Sequence, residues 1–127
     1  MAGFLPNEGE HKIGQILFQT ANTTLILFTN SAPDETITYG TLVQPTGGGY
    51  APITLAYGSW SGGADVFSYA TQTFTAVSTD FTPAIYGYAI VTTDATPIIL
   101  SCYIDPNGPY TITAGLSYDI TPSVTIA

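Results

Sequence analysis

Residues 84–105, AIYGYAIVTTDATPIILSCYID, restrict the fold more than any other stretch of the chain. Residues 84–91 are apolar on both faces, as a strand in the middle of a sheet would be. Residues 98–104 alternate, with Ile98, Leu100, Cys102 and Ile104 on one face and Ser101 and Tyr103 among those on the other. Period-two alternation marks a half-buried strand. Between them, residues 92–97 carry Asp94 and Pro97, which favour a turn. The stretch predicts a β-hairpin with one central strand, against which the rest of the chain can be laid.

The same reading extends in both directions. Residues 1–12 hold Gly3, Pro6 and Gly9 and read as an N-terminal arm, either a frayed end or a segment that reaches a neighbouring subunit through Phe4 and Leu5. Residues 13–19 and 24–29 form the next apolar pair. Ile13, Ile16 and Leu17 fit one helix face, but Gly14 and the short length favour a strand. Leu25, Ile26, Leu27 and Phe28 read as a central strand. Residues 36–43 are expected to be a strand with a phase shift near Gly40. Gly47, Gly48 and Gly49 then break the chain. No Gly-Lys-Ser/Thr follows them and no helix opens, so they are a turn or a point of close backbone approach rather than a phosphate loop.

Residues 53–57 are expected to form a strand, and 58–65, GSWSGGAD, a turn around Trp60. Residues 67–77 change phase near 71–73, which implies a bulge, a bend or two strands. Residues 105–109, DPNGP, carry strong turn chemistry; Ca²⁺ ligation would need further acids and a terminal Glu. Residues 110–114 alternate. So do 118–126, where Pro122 lacks an amide donor and predicts an edge or a break. Eight to nine short strands with turn signals every eight to twelve residues predict a single-domain, all-β, jelly-roll-like β-sandwich over 13–127 behind the 1–12 arm.

Charge narrows the function. The chain has nine acidic residues, one Lys (Lys12) and no Arg, for a net charge of −8. Nucleic-acid binding depends on Lys and Arg neutralising phosphates, so nucleic acid is excluded as a partner, and anionic membrane with it. No apolar run approaches a membrane span, and residues 1–12 do not read as a signal peptide. Cys102 is the only cysteine and His11 the only histidine. A nucleophile needs a base beside it, and one His cannot build a metal cluster, so no enzyme, metal or cofactor is expected. Nine Tyr suit an interface, where the ring is buried and the hydroxyl stays wet, and suit the rims of strands equally well.

Three stretches, TGGGYAPITL (46–55) followed by Trp60, IYGYAIV (85–91) and GPYTITAG (108–115) ahead of ITP (120–122), come in an order that resembles small β-sandwich virion proteins of tailed bacteriophages. These are capsid decoration or cement proteins, and the resemblance covers roughly residues 13–126. It implies a protein made in the host cytoplasm that assembles on the outside of the capsid. It also implies a homo-oligomer, a trimer by preference, with the major capsid protein as partner and no catalytic residue. On this reading the contacts are Phe4, Leu5, His11 and Lys12 of the arm, Gly47, Gly48, Gly49 and Tyr50 of the glycine turn, and Trp60. The alternative is a tail-fibre or receptor-binding module that stacks glycans on Trp60, helped by Tyr57 and Tyr69. Against it stands the more ordinary role of a lone Trp as a packing anchor.

Overall fold

A computed structural model describes residues 2–63 and 65–126. Met1 of the expected arm, Ala64 of the expected 58–65 turn and Ala127 lie outside the described residues. The chain runs through α1 (Asn7–Phe18), β1 (Thr23–Phe28), β2 (Ile53–Leu55), a 3₁₀ turn (Tyr57–Ser59), β3 (Ser61–Gly62), β4 (Val66–Ser68), β5 (Gln72–Thr75), β6 (Gly87–Thr92), β7 (Ile99–Ile104), β8 (Ser117–Ile120) and β9 (Ser123–Thr125). The strands form antiparallel sheets in the orders β2-β1-β6-β7, β3-β4-β9 and β5-β8. The fold is all-β and sandwich-like, with one short helix among the described residues.

The predicted hairpin is present as β6 and β7, and β1 and β6 occupy the middle of the largest sheet. Both are buried on both faces because both faces are covered. Leu25, Leu27, Tyr88 and Ile90 face the main core, where Phe67, Phe74, Phe81 and Trp60 pack. Ile26, Phe28, Ala89 and Val91 face a second cluster closed by Leu42, Ile37 and Tyr39. The expected break at Pro122 is also present: β8 pairs with β5 and β9 pairs with β4, so the chain changes sheets there. Residues 67–77 divide into β4 and β5, one of the forms their phase shift allowed.

Five expectations are corrected. Residues 13–19 are not a strand, and the arm does not end at 12, because α1 spans that boundary. Pro6 enters the helix with φ −70° and ψ 162°, and Glu8 and Glu10 sit in its first turn, where the helix dipole favours negative charge. Gly14 had argued against a helix, since glycine costs about 1 kcal/mol there relative to alanine. Its missing side chain is what lets Phe67 in: a Cβ at Gly14 would lie 1.9 Å from the Phe67 ring. Residues 36–43 are a chain of turns rather than a strand. The Asp34 and Thr41 side chains offer local hydrogen bonds that compete with a ladder, as when Thr38 N–H donates to the Thr41 hydroxyl (3.2 Å).

Residues 110–114 make only the single bridge Ile85↔Tyr110, and Ala114 N–H donates to Asp80 Oδ1 (2.8 Å). Alternation along β7 is broken by a register shift, with Ile90 opposite Ser101 and Val91 opposite Ile99. Leu100 is the extra residue and packs against the main core, while Ile99 and Cys102 join the second cluster.

Candidate interaction surface

The expected contact residues differ in exposure. Phe4 and Leu5 are exposed, 87% and 51%, ahead of α1. Lys12 is exposed, but His11 is half-buried, its ring stacked on Phe67 at 5.5 Å and its Nδ1 buried without a partner. Trp60 is corrected outright. It is 5% exposed, packed against Phe18 (4.8 Å) and edge-on to Tyr69 (5.3 Å), and anchors the core instead of meeting a ligand.

The glycine turn is held from within. Gly47, Gly48 and Gly49 have φ of 81°, 60° and 71°, a run that only glycine adopts readily. A Cβ at Gly48 would lie 2.7 Å from the Phe81 ring, so the close approach expected of this turn is real. Gly47 and Gly49 are exposed, whereas Gly48 is buried. Tyr50 is half-buried: its hydroxyl accepts Leu27 N–H (3.0 Å) and donates to Gln44 Oε1 (2.6 Å). Burial pushes this phenol up to about 12. Tyr50 and Gly48 are therefore structural residues and not free contacts.

The surface that the fold does leave open is β7. Among the described residues it is an edge strand, hydrogen-bonded to β6 alone. Asp105 N–H donates to the Tyr86 carbonyl (2.9 Å). Backbone groups alternate in an antiparallel ladder, so the N–H groups of Ile104 and Cys102 point away from β6. Ile98, Tyr103 and Ile104 are exposed, and β7 carries no charge and no proline.

A depression of about 380 Å³ lies on one side of β7, between Ile99, Cys102 and Ile104 and the loop residues Pro33, Asp34 and Ile37. The Thr36 hydroxyl (2.6 Å) and N–H (2.9 Å) donate to Asp34 Oδ1 and hold that carboxyl below its usual range. Burial raises the Cys102 thiol above its ordinary value.

On the other side lies a cleft of about 490 Å³ lined by Tyr88, Tyr103, Asp105, Tyr118, Asp119 and Ser123 among others. Tyr88 and Tyr103 lie 5.3 Å apart, and Tyr110 and Tyr118 lie 5.2 Å apart. Tyr118 donates its hydroxyl proton to Asp105 Oδ2 (3.0 Å), and burial together with that carboxylate raises the Tyr118 phenol.

Sequence reasoning missed this surface, although its signals were present. The run 97–104 holds no Lys or Glu to guard an edge, and Tyr103, Tyr110 and Tyr118 flank the 105–109 turn. Among the described residues no three His, Cys, Asp or Glu side chains gather as a metal site would, and no helix is long and apolar enough to cross a membrane. No protein-family model matches the chain, and comparison with curated proteins and with solved structures found no match.

Proposed function

We propose that this chain is a non-catalytic structural protein that binds another protein surface through β7, and that the surface is the outside of a phage capsid. The observation that carries the binding role is the open β7 edge, six uncharged residues long with Ile98, Tyr103 and Ile104 exposed beside it. An unguarded edge is a template for an added strand. The capsid assignment, the decoration or cement role and the trimeric assembly rest on the family resemblance. Strength then comes from many copies, each bridging capsid subunits through modest contacts. Phe4 and Leu5 form a second exposed apolar element for such bridging. The glycan-binding alternative loses Trp60, on which it stood.

The test is co-sedimentation of the purified protein with undecorated heads of the same virus. The reading expects saturation at a fixed ratio per capsomer and heads that resist heat better. Absence of binding to heads would overturn the capsid role. The informative truncation removes residues 1–5, because deleting 1–12 would remove half of α1 along with His11.

A further inference from the structure

We propose that the tyrosine cleft beside β7 receives a cationic side chain, Lys or Arg, of the partner protein. The inference rests on the protein-binding reading and gives that surface its chemistry. Asp105 follows β7 directly and lines the cleft on that strand's face, so a partner that docks over both β7 and the cleft covers this carboxylate. A buried carboxylate without a counter-charge is strongly disfavoured. The chain cannot supply that charge, since it has nine acids and a single Lys, and no cation lines the cleft.

The carboxylate is already positioned. Asn107 N–H donates to Oδ1 (2.9 Å) and the Tyr118 hydroxyl to Oδ2 (3.0 Å). Each oxygen retains lone-pair capacity for a further donor. Asp119, with its Oδ1 engaged by the Thr73 hydroxyl (2.7 Å), adds a second negative charge to the lining. The Tyr103 ring, 45% exposed, offers a π face to a cation held by Asp105. A guanidinium suits this setting well, since it stacks on aromatic rings while its N–H groups bond a carboxylate.

The probe is N-acetyl-argininamide, titrated against the full chain with the tyrosine ring signals followed by NMR. The neutral citrulline analogue at equal concentration and added NaCl serve as controls. The proposal expects saturable shifts of Tyr103 and Tyr118 with the arginine probe and none with the citrulline analogue. It expects a dissociation constant roughly tenfold weaker in Asp105→Asn, equivalent to about 1.4 kcal/mol, and a comparable loss in Tyr103→Leu, whose exposed side chain leaves the turn untouched.

Equal response to the citrulline analogue, no saturable response, or a response only to a neutral disaccharide would each overturn the proposal. Self-association abolished by Lys12→Gln would overturn it in favour of a second copy as the occupant. The capsid reading fails separately: heads can fail to bind while the arginine probe does, and the reverse.

Discussion

The two edges of the four-stranded sheet are built differently. β2 has three residues, follows Pro52 and runs into a 3₁₀ turn. Where it ends, the exposed side of β1 is closed by other groups: Leu27 N–H donates to the Tyr50 hydroxyl and Thr29 N–H to the Val43 carbonyl (2.8 Å). β7 has six residues, no charge and no proline, and departs from a regular edge only at the bulge beside Leu100. Proteins blunt their edges with shortness, proline, charge, bulges or cover. One edge here is short and closed off by other groups while the other carries only a bulge, and that difference supports β7 as the proposed pairing surface.

The strongest way to break the contrast is to detach β7. In Gly87→Ala the new Cβ would lie 1.9 Å from the Tyr103 carbonyl oxygen and 2.9 Å from the Phe28 ring. Overpacking against backbone is expected to cost about 3 kcal/mol and to lower the midpoint of thermal unfolding by roughly 10 °C.

Next comes the guarded edge. Tyr50→Phe leaves the Leu27 amide without its partner, at an expected cost of about 1–3 kcal/mol measured by urea unfolding. The same hydroxyl gives a pH signature. Tyr50 is protonated in both folded and unfolded chains below its ordinary value near 10, so its contribution is complete there. Above that the unfolded chain ionises first, and stability falls as pH rises from 10 through about 12. Thermal melts across this range should decline less steeply in Tyr50→Phe than in the parent. The slope should not vanish, since burial also raises Tyr88 and Tyr118.

Ile104→Lys sharpens the contrast at little cost to the fold. The residue is 43% exposed and a surface change of this kind should shift stability by no more than about 0.5 kcal/mol. Binding to heads, followed by sedimentation, should weaken about tenfold or more, because a Lys on an edge is a guard. The smallest effect is expected at β2: Thr54→Lys, also exposed, should change neither head binding nor stability measurably.

Where neighbouring residues decide the structure, the sequence was readable. The 84–105 hairpin follows from apolar runs around a turn, and the change of sheet at Pro122 follows from its missing N–H. The errors fall where a distant residue decides. Gly14 belongs in a helix only because Phe67 lies against it, and Phe67 is 53 positions away in this numbering. The 36–43 segment has strand-like composition, but Asp34 and Thr41 satisfy its backbone locally. Along β7 the bulge moved Leu100 away from the face it was expected to share with Cys102 and Ile104, and brought Ile99 there instead. For the candidate site, Trp60 was singled out for its residue type, and only the packing of Phe18 and Tyr69 around it reveals its burial. The edge status of β7 depends on sheet order, which alternation does not encode.

The Phe67 ring also links α1 to the small β3-β4-β9 sheet. It fills the space left by Gly14 on α1 and Gly62 on β3, where a Cβ would lie 2.4 Å away, and His11 stacks on it. α1 therefore cannot lift off without emptying the site that β4 fills, and β4 holds β3 and β9. In hydrogen-exchange terms these elements form one cooperative opening unit. Their slowest amides should share a single opening free energy, and a pull transmitted through Phe4 and Leu5 would be resisted by the small sheet while the β6–β7 hairpin stays closed.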